Sequence, residues 1–140
     1  KTAPEVQTLP LYWLIVRNQD GEILLEKRPA KGIWGGLYCV PCFEKLDETY
    51  ACTEKLGIFS ECAASPWDDL SEQPALTHRL THRLLMITPF EAQISSSDTL
   101  RHSENASKDN RFWVKPENLA DYGLPKPLAD YLKQRQQALF

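Results

Sequence analysis

At 140 residues, with 42% hydrophobic and 25% charged side chains, the chain has the length and composition of one globular domain. No apolar run approaches the roughly 20 residues a membrane helix needs, and a net charge of −3 excludes a uniformly basic nucleic-acid binder. The charge is unevenly spread: Glu44, Asp47, Glu48, Glu54, Glu61, Asp68, Asp69 and Glu72 face only Lys45 and Lys55 over the same stretch. Leu76 to Phe90, by contrast, holds His78, Arg79, His82 and Arg83 and no acid, which suits one segment to phosphates while the rest faces away.

Residues 1–9 carry Lys1 and Pro4 without an apolar core, so they are neither a signal peptide nor an anchor. They are expected to be the remnant of an interdomain linker, with the domain itself at residues 10–140. Leu11 to Val16 is a β-rich apolar run, Asn18-Gln-Asp-Gly21 a turn, and Glu22 to Arg28 a second run, which together predict a β-hairpin. Pro29 to Gly36 contains too many breakers for regular structure, and Leu37 to Phe43 returns to strand character around Pro41.

Asp47 is the expected N-cap of a helix that Gly57 would close. Pro74 to Ile94 reads as two strands with a turn at Thr81-His82 or at Pro89. Ser95 to Asn110 is polar and expected to be a mobile loop. Arg111 to Val114 predicts a short strand, Pro116 to Ala120 a proline-initiated helical turn, and Pro125 to Leu139 an amphipathic helix carrying Leu128, Tyr131, Leu132 and Leu139. This order of elements is an α+β sandwich.

Cys39-Val-Pro-Cys42 is a CxxC, but no second pair and no His pair at finger spacing accompanies it, so reduced, partly buried thiols are expected. His78 and His82 form an HxxxH, yet the zinc-protease motif needs Glu where Arg79 stands, so no metal site is assigned.

The segment from Gly36 to Ile58 resembles the Nudix signature, in which a glycine, a glutamate, an Arg-Glu pair, a Glu-Glu pair and a closing glycine recur at fixed spacing. Gly36 and Gly57-Ile58 hold the end positions, while Cys42, Tyr50-Ala51 and Glu54-Lys55 occupy the positions of the acids and the arginine. Magnesium is a hard cation that needs clustered oxygen ligands. One Glu beside a Lys does not supply them. The resemblance therefore implies a Nudix-like mixed β-sheet sandwiched by helices, with a degenerate box and no catalytic residue in this chain.

Three further runs, Arg28-Pro-Ala-Lys-Gly-Ile-Trp-Gly-Gly-Leu-Tyr-Cys-Val-Pro41, Leu76 to Leu85, and Phe112-Trp-Val with Leu124-Pro-Lys-Pro-Leu128, resemble the C-terminal domain of the MutY family of A/G-specific adenine DNA glycosylases. The likeness runs from about Leu9 to Leu132. It implies a bacterial, cytoplasmic domain that recognises 8-oxoguanine paired with adenine in duplex DNA, and no membrane. A separate N-terminal domain of the same protein, bearing an iron–sulfur cluster, would excise the adenine, so no cofactor is expected in this chain.

The family's lesion-contacting loop is Phe-Ser-His preceded by His-Thr. Leu80-Thr81-His82 preceded by His78-Arg79 stands there: Thr81 keeps the hydroxyl and Leu80 replaces the aromatic ring. Oxidation turns guanine N7 from an acceptor into a donor and adds the O8 acceptor, and a hydroxyl can accept from N7–H where a pure donor cannot. Arg79 and Arg83 are candidate phosphate contacts, His82 a phosphate or base contact, and Trp34 a further candidate. Thr81-His82 is also readable as a plain hairpin turn, and Trp34 with its glycines as a tight loop closed against the core. Two other functions compete: a hydrolase whose metal ligands have moved to Glu44, Glu48 and Glu54, and a domain that only docks onto other proteins.

Overall fold

The computed structural model describes residues 7–18, 20–56, 70–93 and 111–138. In chain order these form β1 (Gln7–Arg17), β2 (Ile23–Lys27), β3 (Tyr38–Cys39), β4 (Cys42–Phe43), α1 (Leu46–Leu56), β5 (Ser71–Glu72), β6 (Leu76–Arg79), β7 (Arg83–Gln93) and β8 (Arg111–Val114). A 3-10 helix (Pro116–Asp121) and α2 (Lys126–Ala138) follow.

The strands make one mixed sheet in the order β3-β2-β1-β7-β5, with β4 on β1, β6 on β7 and β8 on β2. Its spine is the parallel pairing of β1 with β7, which runs from Gln7↔Arg83 to Arg17↔Gln93. Because Gln7, Thr8 and Leu9 belong to that ladder, the folded unit begins ahead of the linker boundary read from the sequence.

Side chains alternate across a strand, so a strand covered on both faces must be apolar at consecutive positions. β1 is such a strand. Leu11, Trp13 and Ile15 join Leu85, Ile87, Leu128 and Leu132 in one core beneath α2, while Leu14 and Val16 join Leu24, Ala92 and Cys52 in a second beneath α1. Full burial of each such side chain contributes roughly 1.5–3 kcal/mol. The α+β, helix-sandwiched sheet expected from the sequence is the one observed.

The β1–β2 hairpin closes as its turn residues dictate. Buried Asn18 accepts the backbone N–H groups of Asp20 (3.1 Å) and Glu22 (2.9 Å) on its Oδ1, and Gly21 takes a left-handed φ of 80°. The strand expected over Leu37–Phe43 is two short strands, because Pro41 has no N–H for a ladder and its carbonyl instead accepts Leu14 N–H at 2.9 Å. β3 then pairs with β2, and β4 with β1.

The first helix starts one residue ahead of Asp47, so Asp47 is not its cap. With Glu48 it lies in the first turn, where acids complement the helix dipole. Buried Thr49 and Thr53 satisfy their hydroxyls by donating to the carbonyls of Lys45 (3.2 Å) and Thr49 (3.0 Å). Gly57, Ile58, the loop expected over residues 95–110 and Leu139 lie outside the described residues.

Of the two turn positions read from Pro74 to Ile94, the chain uses Thr81-His82. Pro89 lies inside β7, between the part paired with β6 (up to Ile87) and the part paired with β5 (from Phe90). Its missing N–H falls where the partner strand changes. No helix among the described residues is long and apolar enough to cross a membrane.

Candidate functional site

β6 and β7 are antiparallel, with His78 opposite Leu85 and Arg79 opposite Leu84. Leu80 N–H donates to the carbonyl of Arg83 at 2.7 Å, leaving Thr81 and His82 as a two-residue tip. Such tips usually take left-handed φ angles to match strand twist. Here Trp34 is the one non-glycine residue with positive φ among those described, so the tip is held differently. Gln7 at the start of β1 donates its N–H to the carbonyl of His82 at 3.3 Å, bracing the turn from the neighbouring strand.

The seven residues singled out in the sequence divide into two groups. Arg79, Thr81, His82 and Arg83 are exposed at the end of the hairpin. Leu80, His78 and Trp34 are half-buried: Leu80 and Trp34 pack against the core under α2, and the His78 ring lies 6.4 Å from that of Trp34. The structure thus brings four polar side chains to one tip and assigns the other three to its support.

That support begins in the glycine-rich loop. Gly35 N–H donates to Gly32 O (3.2 Å) and Gly36 N–H to Pro29 O (3.1 Å), which folds the loop on itself. A Cβ at Gly35 would lie 2.4 Å from the Ala30 carbonyl oxygen, so no larger residue fits. The folded loop holds Trp34 at φ 56°, with its ring 6.1 Å from that of Trp13 on one side and His78 on the other. Trp13 in turn meets Tyr131 of α2 edge-on at 6.0 Å. A chain of rings therefore ties loop, hairpin, sheet and terminal helix together.

A cavity of about 330 Å³ opens beside this chain, between β6 and the start of α2. Leu76, Thr77, His78, Lys126, Asp130 and Tyr131 are among its lining.

In the box-like segment, Cys42 packs against the core under α2 and Cys52 lies in the core under α1. Cys42 stands at the box's first acid position, and burial pushes its thiol up to about 12; Glu26 and Glu44 add to this while Arg28 opposes it. Burial likewise holds the Cys39 thiol well above its usual range, with Cys42 and Glu26 adding and Arg28 and the Val40 backbone opposing. Thiols protonated at neutral pH are weak nucleophiles. Cys39, Cys42 and Cys52 are all free thiols. Tyr50, at the box's arginine position, packs its ring 6.2 Å from that of Phe90. Among the described residues no three His, Cys, Asp or Glu side chains are grouped to hold a metal ion, and the Glu54 side chain lies outside that set.

Sequence reading missed a buried carboxylate. Glu91 accepts from Arg17 Nη1 at 2.7 Å and pairs with Arg135 Nε at 2.7 Å, and it also accepts the Tyr131 hydroxyl. Burial pushes the Glu91 carboxyl up, but hydrogen bonds from Tyr131, Arg135 and Arg17 outweigh it and leave the carboxyl below its ordinary value. Tyr131 is pushed up, by burial first and then by Glu91. The available signal was an acid just past the acid-free run, followed at once by Ala92.

A mixed sheet with α2 over one core and α1 over the other, and a box-like strand-loop-helix between Gly36 and α1, define a class. The chain belongs to the NUDIX domain family, whose profile matches residues 12–134. Within that class it is similar to the adenine DNA glycosylase of Buchnera aphidicola subsp. Baizongia pistaciae, at 26% identity over 117 residues. That match covers 84% of this chain and 30% of the relative, so the chain spans less than a third of the relative's length.

In fold it is similar to the C-terminal domain of mouse MUTYH, solved in complex with human PCNA, with a TM-score of 0.62 and 13% identity over 92% of this chain and 88% of that one. It is similar also to the NUDIX domain of Shewanella oneidensis NrtR, solved with ADP ribose, with a TM-score of 0.60 and 14% identity over all of this chain and 91% of that one. The resemblance read from the sequence is the one these comparisons return.

Proposed function

We propose that this chain is the lesion-reading domain of an adenine DNA glycosylase, recognising 8-oxoguanine opposite adenine in duplex DNA. Excision of the adenine falls to a separate N-terminal domain of the same protein, and the work is done in the bacterial cytoplasm. The observation that carries the reading is the hairpin tip. Thr81 and His82 are exposed there between Arg79 and Arg83, on a segment without an acid.

The tip supplies what the chemistry asks for. The Thr81 hydroxyl accepts from N7–H of the oxidised base and donates its own proton onward, whereas unmodified guanine offers no N7–H. Arg79 and Arg83 supply sequence-independent phosphate contacts that hold the register. The iron–sulfur cluster that the family resemblance implies is assigned to that other domain.

The test uses the full-length glycosylase. Thr81→Ala is expected to reduce its preference for 8-oxoguanine:adenine over guanine:adenine duplexes by about tenfold, the worth of one hydrogen bond. Unchanged preference removes Thr81 from the reading. Membership of the NUDIX family favours a second reading, hydrolysis of a nucleoside diphosphate derivative. Incubation of this domain with nucleoside triphosphates and magnesium separates the two: turnover that Glu54→Gln abolishes would replace the first reading with the second.

A further inference from the structure

Arg17, Arg111 and Arg135 are engaged by acids, but no acid among the described residues engages Lys31, Arg79, Arg83 or Lys126. These four lie on elements that the structure joins. Lys126 and Thr77 line opposite walls of the cavity between α2 and β6. Lys31 is exposed and directly precedes Gly32, whose carbonyl closes the turn that carries Trp34 onto His78 of β6.

A polyanion that engages the tip therefore meets further unpaired cations if it runs toward the base of the hairpin. Thr77 and Thr81 are four residues apart, roughly 13 Å of strand, which matches about four base-pair steps of duplex. The loop is open to close approach as well: a Cβ added at Gly32 or at Gly36 would meet nothing within 4 Å. Asp130 is the acid in the cavity lining and opposes such an approach.

We propose that the duplex-binding surface extends beyond the hairpin tip, across the β6–α2 groove and the glycine loop, with Lys126 and Lys31 as phosphate contacts. This rests on the DNA reading above and adds a sequence-independent footprint to it. Phosphate contacts release counterions, so each leaves a signature in the salt dependence of binding.

The experiment is a salt titration of the full-length glycosylase on 8-oxoguanine:adenine and on undamaged duplexes. Lys126→Ala and Lys31→Ala are each expected to weaken binding to both duplexes equally, by roughly three- to tenfold, and to lower the slope of log K against log salt by about one. Lys126→Arg keeps the slope. Asp130→Asn strengthens binding to both duplexes, a gain that a merely structural role would not produce. Lys133→Ala, on the side of α2 that faces Leu119 and Tyr122, is the charge-matched control and leaves the slope unchanged.

Slopes unaltered by Lys126→Ala and Lys31→Ala overturn the extended footprint even where Thr81→Ala still lowers lesion preference. If Thr81→Ala preserves preference while the two lysine variants lower the slope, Thr81 leaves the lesion reading and the footprint stands.

Discussion

At its Glu91 end, β7 gathers Arg17, Arg135 and Tyr131 around one carboxylate, whereas at its Arg83 end no acid among the described residues meets Arg83 or its neighbour Arg79. The first arrangement is closed: opposite charges are matched inside the fold, tying β1, β7 and α2 together. The second is open, with exposed cations and no acid partner among the described residues. The two ends of one strand thus meet arginine differently: at Glu91 the chain supplies the counter-charge, and at Arg83 no acid among the described residues does.

The largest effect should come from breaking the closed end. Glu91→Gln is expected to cost about 2 kcal/mol in urea unfolding, below the usual range for a fully buried pair because the arginine side chains keep 23% and 37% of their exposure. Lesion preference of the folded variant should be unchanged; loss of preference without loss of stability would break the comparison between the ends.

Gly35→Ala comes next. The added Cβ cannot coexist with the Ala30 carbonyl, so the loop must shift, costing about 1–2 kcal/mol in thermal unfolding and displacing Trp34 from His78. Quenching of Trp34 fluorescence is the matching local readout.

A pH series gives a smaller effect with a defined sign. The Glu91 carboxyl is depressed in the folded state, so its contribution is present above the unfolded carboxyl range, near pH 4.3, and is lost as pH falls through the lower folded value. Stability of the wild type should therefore fall more steeply below about pH 4 than that of Glu91→Gln. Parallel acid profiles would remove the network from the account.

The smallest stability effect belongs to the open end. Thr81→Ala, exposed on the tip, should change unfolding free energy by no more than about 0.5 kcal/mol while altering lesion preference. A large destabilisation would mean that the tip is structural after all.

Much of this was legible before any coordinates. The Asn18–Gly21 turn, the strand Arg111–Val114, the 3-10 turn opened by Pro116 and the Thr81-His82 hairpin all rest on turn chemistry or short-range pattern. Cys42, Tyr50 and Lys55 stand at positions where the box frame has acids and an arginine. The candidate tip was legible too, because an acid-free stretch is a property of adjacent residues.

What the chain alone determined, then, was much of what neighbours within a few positions set: several turns, most strand and helix segments, and the local sign of charge. Tertiary structure decided the rest. The parallel β1–β7 ladder joins residues far apart in the chain and brings Gln7 to the tip and Arg17 to Glu91, while the packing of α2 on the sheet adds Arg135. Burial and ion pairing depend on which distant surfaces meet, and a linear pattern of residue types carries no record of that meeting.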